Sequence, residues 1–297
     1  MLAISQSGFT YHYLNWVPSE RGPLVTHYGS IQKEMENPEH IEQYYFDILD
    51  EILSVVNNGE PIFTFSLDRN HVLFSTCFAE DNNQELIDWH LTQTRDDQLN
   101  SIMDFYHYPM SSKSHKMLNI GVPKNIRQSF QANMSLLKSK LNGLSVGIFS
   151  AATGARQWMQ AEKYESYLIW KIGKKKIDEF LFIRDGEMVT YFSFHRSGEK
   201  GKMMWQFGDS DVADSIVQDI LKVQNEKSKK LTTAEQVYIY TSDGSIKEVK
   251  SFHQMKIENL TLLNPLSVIE STKEEKIHEY NTLPLAETGN AFGGVDV

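Results

Sequence analysis

The residues of this 297-residue chain with the most chemistry to offer sit in one turn, Lys171-Ile172-Gly173-Lys174-Lys175-Lys176. Lysine meets a phosphate as a compact point charge, so a run of lysines beside a glycine raises the question of anion binding. The other basic cluster, Lys222–Lys230, is interrupted by Glu226 and reads as a solvated helix end and loop. Asp209, Asp211 and Asp214 gather where a helix should begin. The helix macrodipole favours carboxylates there, so they read as caps rather than as a metal site. Gly198-Glu199-Lys200-Gly201 is glycine-rich but lacks the flanks of a phosphate cradle, and reads as a hairpin tip. His12, His27, His71, His90, His107 and His115 show no metal-ligand spacing, and a metal site is not expected. Cys77, the single cysteine, excludes an intrachain disulfide and reads as a small buried hydrophobe.

Composition narrows the class. A net charge of −10 argues against general nucleic-acid binding, which needs a basic face. Apolar residues at 40% and charged residues at 23% suit a globular chain of one large or two ordinary domains. No apolar run approaches the roughly 18–20 residues that span a bilayer, and the N-terminal MLAISQSGFTYHYLNW lacks a basic n-region. The expectation is a cytoplasmic protein without direct membrane insertion.

The elements that must position the lysine turn follow from periodicity. Ser166–Ile172, Lys176–Ile183 and Glu187–Phe194 read as successive strands, with Gly173 and Asp185-Gly186 as turns. The glycine-rich stretch 195–211 reads as a loop capped by Asp209 or Ser210. A helix carries Val212, Ile216, Val217, Ile220, Leu221 and Val223, and Gln236–Thr241 is the next strand. The N-terminus repeats this order. Strands at 2–7, 9–15 and 24–28 precede a helix that starts near Asn37-Pro38 and ends at Asn57-Asn58-Gly59. Its apolar face is Ile41, Tyr44, Tyr45, Ile48, Ile52, Val55 and Val56, and Pro61–Leu67 is the strand after it. Two β-β-β-α-β units about 160 residues apart amount to a duplicated topology.

Between the units, the pattern predicts a strand at His71–Thr76, a helix at Asn82–Gln93 and strands at Met103–Tyr108 and Lys116–Val122, the last two separated by a flexible Ser111–Ser114. A helix from Pro123-Lys124 carries Ile126, Phe130, Met134, Leu137 and Leu141 and closes at Asn142-Gly143. A strand at Leu144–Phe149 and a helix at Ala151–Met159 follow. After the turn Ser242–Ser245 come a helix to Met255, a strand at Leu260–Leu263 and a break at Asn264-Pro265. A charged loop at 270–280 and a small-residue helix at Leu283–Gly294 end the chain.

This order resembles the type IV pilus assembly protein M (PilM) family and the cytoplasmic parts of the related type II secretion L proteins. The resemblance rests on Ala3–Tyr11, on Leu86–Tyr108 with its Ile-x-Trp, on Lys116–Ile148 with a Gly-Leu-x-Val strand, on Asn264-Pro265, and on Ala286–Ala291 (AETGNA). It implies an α/β, actin-like (ribonuclease H-like) two-lobed fold of the actin-like ATPase superfamily. The first lobe would span 1–163 with a small α+β insertion at about 68–122, and the second 164–297. It also implies two phosphate turns. The acidic position of the first falls at Ser5, within Ser5-Gln6-Ser7-Gly8, and that of the second at Lys171, within Lys171-Ile172-Gly173. The adenine-side Gly-Gly turn is half kept at Asp243-Gly244. Neither phosphate turn keeps its carboxylate there. Mg²⁺ prefers carboxylate and phosphate partners, and phosphoryl transfer needs a metal and a positioned nucleophile.

A degenerate nucleotide cleft with no catalytic residue is therefore expected, with neither ATP nor Mg²⁺ as cofactor. Trp170 either fills the space nucleotide would take or packs in the ordinary way between sheet and helix. The implied role is a cytoplasmic scaffold of a pilus or secretion apparatus, peripheral to the inner membrane. Its implied partner is the cytoplasmic tail of a single-span inner-membrane protein (PilN-like), and self-association is left open. The implied groove lies around Phe63, Phe65, Val72, Phe74 and Phe105. The alternatives are an ATP-binding actin-like ATPase or phosphotransferase, and an actin-like protein unconnected with pili.

Overall fold

A computed structural model describes residues 1–35, 40–56, 61–78, 97–110, 116–197, 201–225, 227–272 and 280–293. The expected helix Asn82–Gln93, the helix ends at Asn37-Pro38 and Asn57-Asn58-Gly59, Ser111–Ser114, Gly198-Glu199-Lys200 and most of the charged loop lie outside the described residues.

Strands β1 (Leu2–Ser7), β2 (Thr10–Ser19) and β3 (Gly22–Gln32) form an antiparallel meander, turned at Gly8. Helix α1 (Ile41–Val56) buries Tyr44, Tyr45, Ile48, Leu49, Ile52 and Val56, and β4 (Ile62–Leu67) returns parallel to β1. A separate three-stranded sheet follows: β5 (Leu73–Phe78), β6 (Met103–Pro109) and β7 (Lys116–Pro123), paired in the order β5-β7-β6. Helix α2 (Lys124–Leu136) then leads into β8 (Lys140–Val146), parallel to β4. Helices α1 and α2 cover one face of the first large sheet, where Phe130 meets Tyr45 and Phe65 at ring separations of 4.7 and 4.5 Å. Each such side chain stabilises the fold by about 1.5–3 kcal/mol.

Helix α3 (Gly147–Met159) leads to β9 (Ser166–Lys171), β10 (Ile177–Arg184), β11 (Glu187–His195) and β12 (Lys202–Gly208). Helix α4 (Ser210–Gln224) opens on Asp209, whose carboxylate accepts the Asp211 and Val212 N–H groups as an N-cap. Strand β13 (Gln236–Tyr240) lies parallel to β9. After α5 (Ile246–Gln254), β14 (Leu260–Leu262) lies parallel to β13. The sheet orders β3-β2-β1-β4-β8 and β11-β10-β9-β13-β14 share one pattern, a meander continued by two parallel strands. The duplicated α/β topology read from the sequence is present, and each copy gains a sixth strand at its outer edge.

Those sixth strands are corrections. Lys202–Gly208, expected as part of a loop, is β12 and pairs with β11. Its flanking glycines hide the alternation of half-buried Met203, Trp205 and Phe207, two of which pack on Tyr191. Glu270–Ser271 (β15) pairs with β3. From there the C-terminal segment lies against the first sheet and α3, whereas 164–297 was expected to form the second lobe throughout. Helix α2 stops at Leu136 because Lys138 takes a left-handed φ of 47°, so Leu141 belongs to β8 rather than to the helix. Gly147-Ile148-Phe149 open α3 instead of ending a strand. Val55 points to solvent, and Leu49 takes the expected core place.

Helix α3 is buried on nearly every side from Gly147 to Ala155, as a helix between two sheets must be. The last segment packs on it closely: a Cβ added to Gly289 would come within 2.6 Å of Gly154 Cα. The small residues of AETGNA are explained by that contact.

Candidate functional site

The turns after β1 and β9 and the segment after β13 converge on one cavity of about 310 Å³. β1 and β9 are central strands with parallel neighbours, and the carboxyl ends of such strands are where α/β sheets leave a crevice. The two halves touch there. Ser242 Oγ donates to Ser7 Oγ at 3.2 Å, and His12 Nε2 donates to the Ser242 carbonyl at 3.0 Å.

The backbone N–H groups of both turns are held by the chain's own carboxylates. In the first turn, Gly8 N–H donates to Asp68 at 2.7 Å. Asp68 follows β4 and also accepts the Asn70 N–H at 2.9 Å. In the second, Lys174 N–H donates to Asp243 at 2.6 Å and Gly173 N–H to Asp178 at 3.2 Å. Asp243 is fixed in turn by the Thr241 hydroxyl and by the Ser245 N–H and hydroxyl. Asp178 is fully buried and accepts from the Trp170 indole and the Arg196 guanidinium, which reaches on to Glu248. Hydrogen bonds to an ionised partner are the strong class, so an incoming anion would have to displace a carboxylate to reach any of these three amides.

The acidic positions of the two turns have separate fates. Ser5 is buried within β1 and does not line the cavity, and its hydroxyl lacks a partner. Gln6 is likewise buried, donating to Tyr11 at 3.0 Å and lying 3.0 Å from His71. Only Ser7 and Gly8 of that stretch reach the cavity. Lys171 does reach it, but its Nζ is bound to Glu287 at 2.7 Å, and Tyr240 OH donates to the same carboxylate at 2.9 Å. Burial alone would lower the Lys171 pKa; the carboxylates of Glu287, Glu179 and Asp68 outweigh it and raise the pKa above its ordinary value. Lys171 is therefore a charged partner in a buried ion pair and is not available to a phosphate. Ile172 is buried, donating its N–H to the Tyr240 carbonyl, and Gly244 turns at φ +88° beside the cavity.

Trp170 does not fill the cleft. It is buried against Phe180 and Phe252 on the far side of β9 and does not line the cavity. Strand alternation, which sends Lys171 one way, sends Trp170 the other. Inside the cavity Asp68, Glu179 and Asp243 face Arg69, Lys171 and Lys174, a balanced set rather than an anion trap. Arg69 lies over Trp205 at 3.9 Å, a cation–π contact that holds it at the wall. Among the described residues no His, Cys, Asp and Glu side chains gather as a metal site.

Lys175 and Lys176 both adopt left-handed φ, 55° and 61°. That conformation costs an L-residue about 1–2 kcal/mol. Lys175→Gly is expected to raise stability by about 0.5–1 kcal/mol, after offsetting the extra freedom of glycine in the unfolded chain; urea unfolding measures it.

The expected groove residues do not share a groove. Phe63 and Phe65 are buried in the core beneath α1 and α2. They lie in a central strand whose other face, at Thr64 and Ser66, is buried as well, so their apolar character reports packing. Phe74 is half-buried among Tyr191, Phe149 and Phe207, where the small sheet meets the second large one. Val72 is half-buried against both cores, and Phe105 lies over Gly121 of β7.

Sequence reasoning missed Asp68, Asp178 and Glu287. Asp68, two residues before Asn70, has the form of a local N-cap, and that was the one signal present. Its second partner, Gly8, lies 60 residues away.

No protein-family profile and no curated protein sequence matches this chain. Among solved structures, it superposes on the PilM-PilN type IV pilus biogenesis complex with a TM-score of 0.65 at 10% identity, covering 100% of this chain and 98% of that one. The fold is that of the actin-like ATPases. Weaker matches are the cytoplasmic domain of EpsL, an inner-membrane component of the type II secretion system of Vibrio cholerae (TM-score 0.46, 11% identity, 96% and 93% covered), and a protein of unknown function from Bacteroides thetaiotaomicron (0.44, 9%, 88% and 89%). The two carboxylate-held turns are those expected from the sequence as phosphate turns, and the cavity lies between them.

Proposed function

We propose that this actin-like protein is a non-catalytic scaffold. Its cleft joins two lobes, the first built on residues 1–163 and the second on 164 to about 269, with the C-terminal segment returning to the first. The observation that carries this reading is the occupation of the Gly8, Gly173 and Lys174 amides by Asp68, Asp178 and Asp243. A nucleotide phosphate needs those donors free and a carboxylate left over for Mg²⁺. Lys171, bound to Glu287, offers neither.

The likeness to the PilM-PilN complex supports the further reading that the scaffold works in the cytoplasm, at the inner membrane, in a pilus or secretion apparatus. It would bind the cytoplasmic tail of a single-span partner. No helix among the described residues is long and apolar enough to cross a membrane.

Two measurements test the proposal. Thermal melts with Mg-ATP are expected to match those without it. A Mg²⁺-dependent rise in Tm, corresponding to the roughly 2.7 kcal/mol that ligand at a hundredfold Kd supplies, would sink the scaffold reading. Titration with synthetic cytoplasmic tails of single-span proteins encoded beside this chain should give saturable binding by one of them; no binding by any removes the pilus part.

A further inference from the structure

The last described segment, residues 280–293, follows the second lobe in sequence and packs between the first sheet, α3 and the ends of β9 and β13. Its second half is fastened to the first lobe. The Asn290 N–H donates to Ser150 Oγ at 3.0 Å, and the Asn290 side-chain amide donates to the Phe65 carbonyl at 3.3 Å. Phe292 stacks on Trp16 of β2 at 5.0 Å and 19°, and meets Trp158 of α3 edge-on at 5.3 Å and 80°.

Glu287 fastens the same segment to the second lobe. Its buried carboxylate accepts from Lys171 Nζ at 2.7 Å and from the Tyr240 hydroxyl at 2.9 Å. Lys171 is the last residue of β9 and Tyr240 the last of β13, and the two strands are parallel neighbours in the second sheet. Gly147 opens α3, and a Cβ there would lie 2.7 Å from both Glu287 oxygens. Glycine is what lets the carboxylate sit at the positive end of that helix. One side chain of the C-terminal segment therefore touches the first lobe's connecting helix and two central strands of the second lobe.

We infer that the C-terminal segment is a strap that locks the two lobes in one arrangement, with Glu287 as its bolt. Domains of one chain ordinarily move relative to each other unless the contact between them is strong. The direct lobe-to-lobe hydrogen bonds at the cleft, from Ser242 to Ser7 and from His12 to Ser242, involve no carboxylate and belong to the weaker class. The strap supplies what they lack. If the lobes parted while the strap stayed on the first, a buried carboxylate and a buried ammonium would each lose its partner, which costs far more than breaking an exposed pair. The cleft geometry is thus set by the chain's own last residues, and this holds whether or not the protein is a scaffold.

Double electron–electron resonance on the whole chain tests it. Nitroxide labels go on Asp50→Cys in α1 and Gln218→Cys in α4, both exposed positions, in a Cys77→Ser background. The strapped protein is expected to give one narrow interlobe distance distribution. Lys171→Met with Glu287→Ala frees the second-lobe end of the strap, and Asn290→Ala with Phe292→Ala frees the first-lobe end. Each pair should broaden the distribution about twofold or more, as an unlocked domain contact would. Thermal melts verify folding. If an alanine pair does not fold, Lys171→Met with Glu287→Gln, which removes the charges and keeps an acceptor for Tyr240, decides the matter by a smaller broadening. Glu248→Gln weakens the Arg196 ion pair inside the second lobe; it lowers stability without touching the strap and should leave the distribution narrow. The inference is overturned if the unaltered protein already gives a broad distribution, if a folded strap variant keeps the narrow one, or if Glu248→Gln broadens it as much as the strap variants do.

Discussion

Lys171→Asp, which puts at this turn the carboxylate that the family resemblance implies, is expected to destabilise the protein by about 3–5 kcal/mol, the usual consequence of breaking a buried ion pair. The position is buried, its ammonium is 2.7 Å from Glu287, and Glu287 has no exposure of its own. An aspartate there would set two carboxylates against each other beside Glu179 and Asp68. Lys171→Met should cost less, because Glu287 can then take up a proton; burial already pushes its pKa upward. The sign of the pH effect follows. A carboxyl whose folded pKa lies above its unfolded value is favoured by proton uptake, so the Lys171→Met deficit shrinks as pH falls and grows as pH rises through the folded pKa. Lys171→Met with Glu287→Gln removes both charges and keeps an acceptor for the Tyr240 hydroxyl, and should stay within about 1–2 kcal/mol of wild type. Urea unfolding at pH 5 and pH 8 measures all of these. A Lys171→Asp protein as stable as wild type would mean that the lysine is not held as described.

Asp68→Ala combined with Asp243→Ala is expected to convert the cleft into an anion site. The substitutions free the Gly8 and Lys174 amides and remove two negative charges from a wall that keeps Arg69 and Lys174. A unit charge about 6 Å away at an effective dielectric constant near 20 is worth roughly 2.8 kcal/mol. With that discounted for the open, solvated mouth, affinity for pyrophosphate should rise about ten- to a hundredfold, read by calorimetric titration. Stability should fall, because each lost charge-assisted hydrogen bond contributes about 1.5–3 kcal/mol. If the double variant binds pyrophosphate no better than wild type, the carboxylates are not what closes the turns.

Both expectations depend on pairings that join distant segments, which is why they could not be read from the chain. The strands and helices were legible because their signals are local. Alternation marked β9, β10 and β11, helical spacing marked α1 and α4, and Asp185-Gly186 marked a hairpin. Where a local signal was interrupted, the reading failed. Gly201 and Gly208 bracket β12 and made it read as a loop, and Lys138 stops α2 with a backbone conformation that no lysine advertises. Phe63 and Phe65 show the converse error, since an apolar residue in a central strand looks the same whether it awaits a partner or fills a core.

By itself, then, the sequence determined the duplicated α/β frame and the absence of an acid at Ser5 and Lys171, because periodicity and residue identity are properties of single segments. Tertiary structure alone decided what those turns became. Asp68 and Asp243 reach their amides, and Glu287 reaches Lys171, only after five separate stretches of chain are brought together. A carboxylate's partner is set by where folding places it, and in a buried site that placement decides whether the charge binds a ligand or closes the space a ligand would need.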